Sequence, residues 1–134
     1  MKKINISAEH KYQVLIGDLD VGNLKPLLKD CPKVAFLYPA EISEVVDKIS
    51  AEWDLQQELV MIELPEGESQ KSAEVLIEIW NTLSAHNFTR RDWIIGIGGG
   101  ATTDLAGFAA ASWLRGVNWA SIPTTVAGMV DAAI

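Results

Sequence analysis

Charge is nearly missing from the last third of this 134-residue chain. From Gly96 to Ile134 the only ionisable acids and bases are Asp104, Arg115 and Asp131. A stretch so poor in charge is expected to be mostly buried, so these three must face a cleft, a partner or an ion pair. Basic charge is short everywhere: 11 Lys and Arg stand against 18 Asp and Glu, a net charge of −7. That balance argues against nucleic acid or an anionic membrane as the main partner, since both call for basic patches. It does not exclude a small anion, which the N–H groups of a helix N-terminus can bind without Lys or Arg. A single cysteine, Cys31, rules out an internal disulfide and fits a reducing cytoplasm. The two histidines, His10 and His86, stand apart from Cys31 and from any carboxylate at ligand spacing, so no metal site is expected. There is no run of eighteen apolar residues and no signal-peptide core near Met1, which leads to the expectation of a cytoplasmic protein.

What the chain does have is alternation. Short runs rich in β-branched and aromatic residues, at 12–17, 33–38, 59–64, 92–97 and 117–122, read as strands. Between them, Ile42, Val45, Val46 and Ile49 give 40–53 a helical stripe, and Leu76, Ile79, Trp80 and Leu83 do the same for 69–86. Residues 101–114 are Ala-rich and apolar nearly all round, which predicts a helix buried on several sides. Another helix should start at Thr124 or Thr125 as N-cap. Strands alternating with helices predict an α/β fold, a Rossmann-like open, mostly parallel sheet with helices on both faces, forming one domain over 1–134. The pattern still reads as an apolar helix at Ile134, so the chain is expected to be a fragment.

The sharpest local feature is Gly96-Ile97-Gly98-Gly99-Gly100, which runs from a buried strand into a helix. Successive glycines let the backbone approach a ligand closely, and the N–H groups of Gly99, Gly100 and Ala101 would then face a phosphate with the helix dipole behind them. Gly96, Gly98 and Ala101 satisfy a G-x-G-x-x-A pattern, but no Asp or Glu occurs between Leu105 and Val130 to hold a ribose, so the ordinary Rossmann fingerprint fails. Asp104, in the next helical turn, is explained by the helix dipole or by the uncharged end of a dinucleotide. Arg115 either complements a helix C-terminus or contacts an anion. One of Thr124 and Thr125 is spare after capping and could reach a ligand at the carboxyl edge of the sheet. Asp131, among apolar neighbours, is costly unless it lies in a cleft. The segment from Pro65 to Lys71 reads as a polar turn capped by Ser69.

Together Asp92 to Gly100, Asp104-Leu105-Ala106-Gly107-Phe108-Ala109-Ala110, Leu114-Arg115-Gly116, Pro123-Thr124-Thr125 and Val130-Asp131 resemble the 3-dehydroquinate synthase family in order and spacing. The strand at 12–17 and Pro65-Glu66-Gly67-Glu68 with Lys71 extend the resemblance across the chain, which would form roughly the first third of a family member. The resemblance implies a homodimeric cytosolic enzyme of the shikimate pathway that converts 3-deoxy-D-arabino-heptulosonate 7-phosphate to 3-dehydroquinate and phosphate. It implies catalytic NAD+ and, in the full-length enzyme, a divalent metal (zinc or cobalt) held by a helical C-terminal domain absent here. Carried over, Gly98, Gly99 and Gly100 would cradle the NAD pyrophosphate, with Asp104 on the nicotinamide side. Thr124 and Thr125 would contact the adenosine portion, and Glu68 and Lys71 its ribose. Asp131 would lie beside substrate and nicotinamide, and Arg115 would reach the substrate phosphate of the neighbouring subunit. Where many members carry a ribose-binding Asp, this chain has Tyr38-Pro39. The rival readings are another sugar phosphate cyclase, an iron-dependent alcohol or glycerol dehydrogenase, and an NAD-binding module without catalysis; the Leu-Arg-Gly and Pro-Thr-Thr blocks count against the dehydrogenase.

Overall fold

A computed structural model describes residues 2–16, 21–125 and 128–129. Four strands form one parallel sheet: β3 (Lys33–Pro39), β4 (Glu58–Leu64), β5 (Trp93–Gly98) and β6 (Asn118–Pro123), in the order β4-β3-β5-β6. The chain leaves β3 for β4 on one side, then returns past β3 to β5 on the other. That reversal is a topological switch point, and it opens a crevice at the carboxyl ends of β3 and β5.

The central strands β3 and β5 are buried on both faces, as a parallel sheet requires. Alternation along β3 sends Val34, Phe36 and Tyr38 to one face, where Ile95, Ile97, Val46 of α2 (Ser43–Trp53), Trp53 and Leu28 of α1 (Val21–Leu28) join them. There Phe36 and Trp53 meet edge to face with centroids 5.6 Å apart. Ala35 and Leu37 point the other way, against α3 (Ala73–Ala85) and α4 (Gly100–Ser112), through Val75, Ile79, Leu83, Leu105, Ala106, Ala109 and Ala110. Each fully buried Leu or Ile contributes about 1.5–3 kcal/mol to this core. The Rossmann-like α/β expectation therefore holds.

Several local expectations are corrected. The predicted strand at 12–17 is β2 (Lys11–Ile16), but it pairs antiparallel with β1 (Lys2–Ser7) in a separate two-stranded sheet, outside the parallel one. The helix expected over 69–86 starts later. Gly67–Gln70 forms a 3₁₀ turn, and the N-cap is Ser72, whose hydroxyl accepts from the Val75 N–H at 3.2 Å, while the Ser69 hydroxyl donates to the Glu66 carbonyl. The helix expected to be buried on several sides is so: Thr102, Thr103, Leu105, Ala106, Ala109 and Ala110 of α4 are buried. It is packed tightly against β5, where a Cβ on Gly96 would lie 2.5 Å from the Ala106 Cβ, yet Phe108 on its outer face is 58% exposed.

Candidate functional site

The crevice at the switch point is a cleft of about 330 Å³ lined by Pro39, Glu41, Ile42, Gly67, Gln70, Gly99, Gly100, Ala101, Thr102, Thr124 and Thr125. Its floor is the β5–α4 junction. Gly98 must be glycine, because a Cβ there would meet Thr102 Oγ1 at 2.7 Å and Pro39 Cδ at 3.1 Å. Gly99 is the N-cap of α4 and has no side chain with which to cap it. The first intrahelical donor is Thr103, whose N–H reaches the Gly99 carbonyl at 3.1 Å. The amides of Gly100, Ala101 and Thr102 therefore precede the helical ladder at the positive end of the helix dipole. A helix start with this geometry can bind a phosphate using backbone alone.

The wall on the β6 side is held by the backbone. The Thr124 N–H donates to the Gly98 carbonyl at 2.8 Å, which locks the ends of β5 and β6 together. Thr125 takes the capping role: its Oγ1 accepts from the Gly128 N–H at 3.0 Å. That leaves the Thr124 hydroxyl on the cleft wall.

Glu68, Lys71 and Asp104, placed by sequence at different ends of a dinucleotide, come together in one cluster. The Lys71 ammonium lies 3.1 Å from Asp104 Oδ2 and 3.8 Å from Glu68 Oε2. None of the three lines the cleft itself. They form a charged ledge reached through Gly67 and Gln70, which do line it. Arg115 is far away. It follows the C-terminal end of α4, a helix about 20 Å long, so it sits at the opposite edge of the sheet from the cleft. There Leu114, Arg115 and Gly116 all have positive φ, at 47°, 68° and 109°. Asp131 lies outside the described residues.

Two cleft residues were not singled out from sequence. Among the described residues Glu41 contributes the one charged side chain in the lining. Gln70 is buried to 2% exposure, and its Oε1 accepts from the Thr102 hydroxyl at 2.7 Å. A glutamine inside a polar turn carries no sequence signal of burial, because its neighbours Ser69 and Lys71 are exposed. Among the described residues no group of three His, Cys, Asp or Glu could hold a metal ion, and no helix is long and apolar enough to cross a membrane.

Residues 61–134 match the family described as 3-dehydroquinate synthase N-terminal. A 3-dehydroquinate synthase from Streptomyces avermitilis is 48% identical over 125 residues, covering 92% of this chain and 34% of that protein. The chain thus spans about a third of the length of the curated relatives it matches. Among solved structures, a 2-deoxy-scyllo-inosose synthase complexed with carbaglucose-6-phosphate, NAD+ and Co2+ superposes with a TM-score of 0.81 at 19% identity, covering 92% of this chain and 35% of that one. The 2-epi-5-epi-valiolone synthase of Streptomyces hygroscopicus, with NAD+ and Zn2+ bound, gives 0.79 at 24% identity, covering 98% of this chain and 37% of that one.

Proposed function

From the premise that the chain belongs to the 3-dehydroquinate synthase family, we propose that residues 1–134 form the NAD+-binding part of a 3-dehydroquinate synthase. The whole enzyme would convert 3-deoxy-D-arabino-heptulosonate 7-phosphate to 3-dehydroquinate and phosphate. The observation that carries this reading is the side-chain-free start of α4, opening between Pro39 and Gly98 at the switch point. A diphosphate fits there: Cβ atoms at Gly98 and Gly99 would close the approach, and helix-start amides supply donors.

In this reading Gly98, Gly99 and Gly100 cradle the pyrophosphate, and Thr124 and Thr125 contact the adenosine portion from the β6 wall. Glu68 and Lys71 hold ribose hydroxyls at the ledge, and Asp104 serves the nicotinamide side. Lys71, 3.1 Å from Asp104, offsets the repulsion that carboxylate would exert on a nearby phosphate. The bound NAD+ would supply a hydride acceptor that becomes the donor again within one turnover. Arg115, a helix length from its own cleft, would serve the substrate phosphate of a second subunit in a homodimer. Asp131 would lie beside the substrate. Among the described residues no group of three His, Cys, Asp or Glu could hold a zinc or cobalt ion.

Calorimetric titration with NAD+ tests the reading. Saturable 1:1 binding is expected; a flat titration at millimolar NAD+ would remove its basis. Phosphate release from the heptulosonate phosphate, rather than from a hexose phosphate, distinguishes this enzyme from other sugar phosphate cyclases.

A further inference from the structure

We infer that Trp113 is a positioning residue for Arg115, holding the turn that presents its guanidinium. This deepens the reading in which Arg115 serves the substrate phosphate of a second subunit, and rests on it. Residues 113–116 form a tight reversal. The Gly116 N–H donates to the Trp113 carbonyl at 2.8 Å, with Leu114 at φ 47° and Arg115 at φ 68° between them. Positive φ at both central residues is the mark of a mirrored turn, which favours Gly, Asn and Asp. Leucine and arginine adopt it only with backbone strain. Their own packing does not offset that strain, since both are exposed and Leu114 keeps 47% of its surface. Among the described residues the Arg115 guanidinium has no hydrogen-bond or ion-pair partner. An unpaired cation on a strained, exposed tip is held against a cost, and strain of this kind gathers at functional sites.

What holds the turn is Trp113. Its N–H donates to the Ala109 carbonyl at 3.0 Å as α4 ends, and its carbonyl closes the turn. Its indole Nε1 donates to the Phe88 carbonyl at 3.2 Å, on the connection between α3 and β5, while the ring packs against the core on the α3–α4 side of the sheet. The Val117 N–H then reaches the Ala110 carbonyl at 2.9 Å, so the chain re-enters the fold directly after the turn. Backbone bonds fix the two feet of the reversal, and the indole fixes its orientation on the sheet. Without the indole N–H the turn can still close, but it is free to swing. An arginine fork matches a phosphate only in a defined geometry, so a swinging base weakens the contact.

The kinetic arm compares the unaltered whole enzyme with Trp113→Phe, Arg115→Ala and the double variant on the heptulosonate phosphate. Trp113→Phe keeps a ring against the core and removes the N–H donor. It should raise KM about 5- to 20-fold with kcat changed less than about twofold, the pattern for a contact made equally in ground and transition states. Arg115→Ala should raise KM further. Adding Trp113→Phe to it should change KM by less than about twofold, because Trp113 acts only through Arg115. NAD+ affinity, read at the other end of α4, should hold within about twofold in every variant. The second arm needs no activity. Backbone relaxation of this chain should show the Arg115 amide as ordered as α4, with an order parameter of about 0.85, and below about 0.6 in Trp113→Phe. An Arg115 amide already mobile in the unaltered protein overturns the inference, whether or not the variant folds. A Trp113→Phe loss that adds in full to that of Arg115→Ala makes the indole a purely structural contact and also overturns it. So does an unchanged KM in Trp113→Phe beside a raised one in Arg115→Ala. An unchanged KM in Arg115→Ala overturns the reading of Arg115 and this inference with it.

Discussion

The ammonium of Lys71 bridges Asp104 at 3.1 Å and holds the 3₁₀ turn after β4 against the first turns of α4. Both side chains are about half exposed, at 42% and 51%. Water therefore screens the pair, and its contribution to stability is expected below about 1 kcal/mol. A double-mutant cycle of Lys71→Ala and Asp104→Ala by urea unfolding should return that small coupling. The same cycle read as NAD+ affinity should return a larger one, because Lys71→Ala leaves an unbalanced carboxylate near the phosphates. Equal coupling in both readouts would reduce the ledge to a surface ion pair.

Asp92 is the opposite case. It is fully buried, and its carboxylate accepts from the Lys33 N–H at 2.9 Å and the Thr89 N–H at 2.7 Å, tying the starts of β3 and β5 together. Asp92→Ala strands both donors and should cost about 2–4 kcal/mol by denaturant unfolding. A loss under about 0.5 kcal/mol would mean that water replaces the carboxylate at this joint.

Gly96→Ala should destabilise by about 1–3 kcal/mol, since its Cβ would fall 2.5 Å from that of Ala106. Ala106→Gly in the same chain should recover part of the loss, as removing one methyl makes room for the other. Additive losses in the double variant would show that the helix does not close on the strand here.

The pH dependence has a definite sign. Burial pushes the Cys31 thiol above its ordinary value of 9.0, with the Asp92 charge acting in the same direction against opposing backbone hydrogen bonds. Burial likewise raises the Tyr38 hydroxyl above 10.0, helped by Glu63 and Asp47. Both groups are acids kept neutral by the fold, so the unfolded chain loses their protons first. Stability should be level below about pH 9 with respect to these groups and fall as pH rises beyond it. Cys31→Ala should flatten the first part of that fall in a series of unfolding curves; an unchanged slope would remove Cys31 from the account.

Much of the fold was legible because its signals are local. Ile94 and Ile95 followed by four glycines within five residues mark a buried strand turning sharply into a helix, and the structure has β5 and α4 there. Helix α1 was invisible because Gly22 and Pro26 both disfavour helix within an eight-residue span. Strand β1 has only Ile4 and Ile6 as apolar residues and shows its alternation only once paired with Tyr12 and Val14. The cleft was half legible. Its glycine floor and threonine wall announce themselves by residue type, whereas Gln70 and Glu41 reach it through the packing of turns onto α4, which no local pattern encodes. The meeting of Lys71 with Asp104, 33 positions apart in sequence, is a tertiary fact of the same kind.

The most direct test of the central claim is an amide-resolved NMR titration with NAD+. The account predicts the largest shifts at Gly99, Gly100, Ala101 and Thr102, smaller ones at Thr124 and Thr125, and none at Arg115. Shifts confined instead to the separate cavity between β4 and α3, lined by Leu64, Pro65, Val75, Ile79 and Thr82, would contradict it.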